Sequence, residues 1–205
     1  MSERRVYQVE MRVAGEGAAP KLEGYAAVFD QLSLLLFGQF KEKIERGAFA
    51  SSLASDDVRS LWNHNADFPL GRTKAGTLRL AEDAHGLRTE IDPPQTQMGR
   101  DVVESIRRGD VDQMSFAFDV LPGGDDWEQG PDGLLIRTIK KVRLYEVSPV
   151  TFPAYPQTSI QSRGVNEFGD QPVIPERFRG GAPVGEAERA QGRTATRRRR
   201  LAIIL

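Results

Sequence analysis

Stretches in which every second residue is apolar recur along the first three quarters of this chain, and they restrict its fold more than any other feature. In "MSFAFDVL" the residues Phe116, Phe118 and Val120 alternate with Ser115, Ala117 and Asp119, the period-two pattern of a strand with unlike faces. "RVYQVEMRV" repeats the pattern with Tyr7, Val9, Met11 and Val13. "KLEGYAAVFD" reads as another strand, with Gly24 at a bulge or a close backbone approach. "GTLRLAED" and "GLRTEIDPP" read as two more, joined by the turn from Asp83 to Gly86. "GLLIRTIKKVRLYEVSPV" is long enough to bend across a sheet or to split into two strands.

Helical patterning is scarcer. "TQMGRDVVESIRRGDV" puts Met98, Val102, Val103 and Ile106 on one face, offers Thr96 as a cap and stops at Gly109. A shorter helix is expected to begin near Gly47 in "GAFASSLAS". The sum predicts an α+β chain, mainly β: six to seven strands in a barrel or strongly curved sheet, with helices packed outside it. Periodicity lapses after Thr158, where Gly, Pro, Arg and Glu dominate. Such a segment buries too little apolar surface to offset its ordering entropy. The expected organisation is a folded domain over 1–160 and a mobile tail over 161–205.

Charge divides along the same line. The 205 residues carry a net charge of -1, but 161–205 holds nine Arg against five Asp plus Glu, so an acidic body precedes a basic tail. With no cysteine, disulfides, thiolate metal sites and a cysteine nucleophile are excluded together. "MSERRVYQVEMRV" contains no apolar h-region. "LSLLLF" is far short of the roughly 20 residues a membrane helix needs, and a cytoplasmic protein without membrane association is expected.

A search for chemistry leaves a short list. No glycine-rich phosphate loop follows a strand, and no His or carboxylate cluster has metal-ligand spacing, so neither cofactor nor metal is expected. No basic helix interleaves aromatics, and the lone "RRRR" cluster is too little to argue for nucleic acid. What remains is His64 in "LWNHNADFPLGRT", one of two histidines, with Ser115 in "QMSFAF" and Glu146 in "RLYEVSPV". A serine hydroxyl becomes a nucleophile when an imidazole takes its proton, and that imidazole needs a third group to fix its tautomer. The plainer account of each residue stands beside this: a surface histidine at a strand end, an ordinary serine, and an outward carboxylate between Tyr145 and Val147.

Six ordered blocks between about Leu22 and Thr158 decide between these accounts. They are "GYAAVFD", "EKIERGAFASSL", "LWNHNADFPLGRTKAGTLRL", "DAHGLRTEIDPPQT", "IRRGDVDQMSFAFDV" and "RLYEVSPVTFPAYPQTSI". In order and spacing they resemble the prohead proteases of tailed bacteriophages, capsid-maturation serine proteases that share the fold of the herpesvirus assemblins. The resemblance implies His64 as general base and Ser115 as nucleophile. For the third member assemblins use a second histidine, which here would be His85, in a turn between strands; Glu146 on the matching late strand is preferred. Assemblins also carry an arginine shortly after that residue to stabilise the oxyanion, whereas "SPVTFPAYP" contains none. The oxyanion site is therefore unassigned, with Arg72 as a candidate helper.

The resemblance further implies a serine endopeptidase that cuts the scaffolding segment of the major capsid protein, and itself, inside the procapsid in the bacterial host cytoplasm. Assemblins work as dimers, so a homodimer is among the expectations. "LSLLLFGQF" is either a buried strand or a contact surface for a second copy or the shell. "RRRRLAIIL" offers a basic and apolar tether to scaffold regions. The competing class is a noncatalytic assembly factor or capsid-binding module on the same fold.

Overall fold

Inward-facing apolar positions on β-strands build most of the core in the computed structural model, which describes residues 2–8, 11–15, 20–151 and 171–179, with the backbone alone at 6–8. The strands are β1 (Glu3–Gln8), β2 (Arg12–Ala14), β3 (Lys21–Val28), β4 (Phe40–Ile44), β5 (Arg59–Trp62), β6 (Asn65–Arg72), β7 (Leu78–Glu82), β8 (Gly86–Ile91), β9 (Gln113–Val120), β10 (Asp125–Gln129), β11 (Leu135–Ile139) and β12 (Val142–Val150). Two helices, α1 (Ala50–Ser55) and α2 (Gln97–Arg107), accompany them. Hydrogen bonding gives a five-stranded sheet ordered β1-β9-β12-β5-β6, a four-stranded sheet β2-β3-β8-β7 and a three-stranded sheet β10-β11-β4.

The mainly-β, α+β class agrees with the sequence reading, but six to seven strands is an undercount, and the described strands form three open sheets and no closed barrel. "RVYQVEMRV" divides, β1 joining the five-stranded sheet and β2 the four-stranded one. "GLLIRTIKKVRLYEVSPV" divides at Lys140 and Lys141 into β11 and β12.

Met114, Phe116 and Phe118 of β9 and Leu144 and Val147 of β12 meet Ile44, Phe49, Leu87 and the Val102, Val103 and Ile106 face of α2 in one cluster. Phe116 stands edge-on to Phe49, with centroids 5.6 Å apart, and stacks on Phe118 at 5.1 Å. Full burial of each such side chain is worth about 1.5–3 kcal/mol. The Thr96 hydroxyl caps α2 by accepting from the Gly99 N–H (3.2 Å), and the chain leaves the helix through Gly109 at φ 79°.

A second cluster joins Leu36, Phe40 and Trp127, with Ile174 and Phe178 packed against it. Residues 171–179, within the stretch the sequence assigns to a mobile tail, thus lie on the three-stranded sheet; "RRRRLAIIL" lies outside the described residues. In "LSLLLFGQF" Leu36 is buried while Leu32 and Leu34 are exposed, and a turn closed by the Leu36–Phe40 bridge stands where a buried strand was one of the two expectations.

Four charged side chains fasten β1 to the small sheet. Arg5 donates to Glu42 (2.6 and 2.9 Å) and Glu3 (2.6 Å). Arg137 donates to Glu3 (2.6 and 2.9 Å), Glu42 (3.0 Å) and Asp125 (2.7 Å). Burial pulls the pKa of Arg5 down, but the Glu42 and Glu3 carboxylates outweigh it, and the guanidinium is held above its ordinary value.

Candidate active site

β12 runs between β9, antiparallel to it, and β5, parallel to it. Its register determines what faces what. Leu144 lies opposite Phe118, and both enter the core. By simple alternation Glu146 would point the same way as Leu144. A bulge between Leu144 and Glu146 adds one residue, Tyr145, so that Glu146 comes opposite Ala117 and Ser148 opposite Ser115, while Val147 opposite Phe116 turns inward. Because side chains alternate with period two, one extra residue moves the carboxylate from the core face to the Ser115 face. The bulge is pinned from α1, where the Ser52 hydroxyl accepts the buried Leu144 N–H at 2.8 Å.

His64 approaches from the other side of β12. Trp62 pairs with Asn65, leaving Asn63 and His64 as a two-residue hairpin turn with φ of 50° and 59°. Positive φ at both central residues is the mark of a type I′ turn, which asparagine tolerates better than histidine does. The turn is stapled to the end of β12. The Asn63 N–H donates to the Pro149 carbonyl (3.0 Å), the Thr151 N–H to Asn63 Oδ1 (2.8 Å), and Asn63 Nδ2 to Thr151 Oγ1 (3.1 Å).

Held there, the His64 Nδ1–H donates to Glu146 Oε1. A carboxylate only accepts, so in the neutral ring the proton sits on Nδ1 and Nε2 keeps its lone pair, the form a general base requires. The other oxygen of Glu146 accepts the hydroxyl of Ser148. Both side chains are largely buried, His64 15% and Glu146 9% exposed. Ser115 lies one strand from Glu146 on the same face, but its buried hydroxyl donates to the Arg5 carbonyl of β1 (3.0 Å) and not to His64. A cavity of about 400 Å³ opens beside Glu146, between Asp56, Arg59, Leu61 and Tyr145.

The remaining candidates lie elsewhere. His85 precedes β8 in the four-stranded sheet, its N–H donating to Asp83 (2.7 Å) and its ring edge-on to Tyr25 at 4.6 Å. Arg72 ends edge strand β6, three strand steps from β9 and so roughly 14 Å away at ~4.8 Å per step. It donates to Asp57 through Nε (2.9 and 3.0 Å), and this hydrogen bonding, helped by the charges of Arg59 and Arg72, holds that carboxyl at about 2. Its place is an ion pair at the sheet edge, not beside Ser115. Among the described residues no group of His, Asp and Glu could hold a metal ion, and no helix is long and apolar enough to cross a membrane.

Two site residues escaped the sequence reading. Asn63 was legible only as a neighbour of His64. Ser148 carries a usable signal, because "EVS" places it two residues from Glu146 and therefore on the same face of a strand.

Comparison with known proteins gives the family. The chain is 31% identical over 158 residues to the prohead protease of Enterobacteria phage HK97, an alignment covering 75% of this chain and 64% of that protein, so the chain spans just under two thirds of its relative's length. The capsid assembly protease of bacteriophage T4 superposes with a TM-score of 0.40 at 10% identity, over 72% of this chain and 98% of that one, a likeness too slight to support an inference. The family model for caudovirus prohead serine proteases matches residues 7–171, a span that contains His64, Ser115 and Glu146, and the chain belongs to that family.

Proposed function

We propose that the protein is a serine endopeptidase of capsid maturation, with Ser115 as nucleophile, His64 as general base and Glu146 as the group that orients the imidazole. The observation that carries this reading is the hydrogen bond from His64 Nδ1 to Glu146 on the sheet face that also bears Ser115. Ser115 Oγ attacks the peptide carbonyl carbon while His64 Nε2 takes its proton and passes it to the leaving amine. Water then hydrolyses the acyl-enzyme ester by the same base. Reaction requires the Ser115 hydroxyl to leave the Arg5 carbonyl and turn to His64. Catalytic hydrogen bonds commonly close only around substrate, so the resting arrangement is compatible with the chemistry. Backbone N–H donors, each worth about 3 kcal/mol, would stabilise the oxyanion.

The family, and the name of the HK97 protein, place the relatives' work at the prohead and favour capsid protein as substrate. In this reading the scaffolding segment of the major capsid protein is cut inside the procapsid, in the cytoplasm of the bacterial host, and the protease trims itself. The buried, backbone-bonded Ser115 hydroxyl is also what a noncatalytic assembly factor would present. Co-expression with the capsid protein separates the two. Wild type and His85→Ala are expected to yield the shortened capsid band on a denaturing gel, and Ser115→Ala and His64→Ala the full-length band. Identical uncut bands in all lanes would leave the assembly factor standing.

A further inference from the structure

Ser148 is buried on β12, directly opposite Ser115, and its hydroxyl donates to the Glu146 oxygen that His64 leaves free. Nothing in the fold requires a hydroxyl there. The register demands only a residue small enough for the space between β9 and β5, and alanine would satisfy that. The hydroxyl instead completes the coordination of a carboxylate that is itself largely out of water. A carboxylate has two oxygens and a rotatable terminal bond, whose torsion is broad and roughly two-fold. With one oxygen on His64 Nδ1 and the other on Ser148, the carboxylate plane is fixed from both ends. The imidazole that follows it is then fixed in tautomer and direction.

We propose that Ser148 is a positioning residue of this site, setting the Glu146 carboxylate so that His64 Nε2 points toward the Ser115 strand. The inference rests on the catalytic reading above and deepens it. The Ser148 hydroxyl bonds to Glu146, while that of Ser115 bonds to the Arg5 carbonyl, so in this proposal Ser148 acts through Glu146. Its removal should therefore matter only when Glu146 is present.

The test reads the rate at which diisopropyl fluorophosphate modifies Ser115 in the full chain, followed by intact mass. Ser148→Ala should slow modification by about ten- to a hundredfold, the scale of one lost hydrogen bond to a charged group, whereas Ser148→Thr, which keeps the hydroxyl, should stay within a few fold of wild type. In a Glu146→Ala background the same Ser148→Ala change should have no effect, because coupled residues are non-additive. Should Ser148→Ala fail to fold, as judged by its thermal melt, the isosteric pair Ser148→Thr and Ser148→Val carries the same comparison. A Ser148→Ala rate within twofold of wild type, or an equal slowing without Glu146, overturns the inference while leaving the catalytic reading intact. Wild-type protein inert to both the probe and capsid would sink that reading and this one with it.

Discussion

Arg137→Met tests whether the charged cluster under β1 behaves as a desolvated unit. The side chains of Glu3, Arg5, Glu42 and Arg137 are between 1% and 8% exposed, so water does little to stabilise any of them. Their charges cancel, and Asp125 at the rim takes a further bond from Arg137. Methionine approximates the volume but removes four hydrogen bonds, three of them to Glu3 and Glu42. One guanidinium then faces two buried carboxylates, leaving a net charge of -1 in the interior. Breaking a buried pair from one side costs about 3–5 kcal/mol, mainly through the uncompensated charge left behind. At 2–4 °C per kcal/mol for a chain of this size, the melting temperature should fall by roughly 6–20 °C. Urea denaturation followed by circular dichroism gives the free energy directly. The control is the fully apolar replacement, Glu3→Met, Arg5→Leu, Glu42→Leu and Arg137→Met together, which should recover most of the loss because the four buried charges go together and Asp125 stays at the partly exposed rim. A single-variant cost below about 1 kcal/mol would mean that the carboxylates reach water, and the account of the cluster would fall.

Two further outcomes concern the edges of the site. Asn63→Ala and Asn63→Gly lose the same bonds to Thr151, but only alanine is strained at φ 50°; the alanine variant should be less stable by about 1 kcal/mol, and both should cut capsid more slowly, so equal melting temperatures would refute the turn argument. The Asp57 carboxyl, at about 2 beside Arg72, is depressed in the folded state, so its contribution is present above the ordinary carboxylate range and lost as pH falls toward 2. A carbon-detected NMR titration should find that midpoint and see it rise in Arg72→Gln; an unmoved midpoint would assign the depression to another cause.

What the sequence disclosed depended on whether local patterning and tertiary environment agreed. Around α2 they agree, and Thr96, the apolar face and Gly109 are all where the pattern puts them. β9 was equally legible, because Phe116 and Phe118 enter the core at every second position. β4 was missed because Glu42, an inward position, is a charged residue matched by two arginines, which breaks the apolar period. Of the β5–β6 hairpin only a strand ending at His64 was legible, because the turn contains no glycine and β6, an edge strand with Pro69, is largely exposed. For the site, two histidines in the whole chain narrowed the choice of base, and the ordered family blocks pointed to Ser115. The bulge at Tyr145 left no trace in the pattern, since Glu146 reads as an outward residue between Tyr145 and Val147 whether or not the strand is bulged.

That bulge makes the chemistry a matter of strand register more than of loop conformation. β12 touches every component of the site: Ser115 lies opposite its Ser148, His64 bonds to its Glu146, and the turn carrying His64 is fastened at Pro149 and Thr151. A slip of one residue, about 3.3 Å along the strand, would turn Glu146 and Ser148 into the phenylalanine core and bring Val147 to face Ser115. Two devices oppose the slip. The core demands Leu144 against Phe118 and Val147 against Phe116, a spacing that only an inserted residue can satisfy. Ser52 takes the Leu144 N–H at the irregularity, so straightening the strand would cost a buried hydrogen bond as well. The apolar core and the polar site are therefore specified by one irregular residue, and neither can be in register unless the other is.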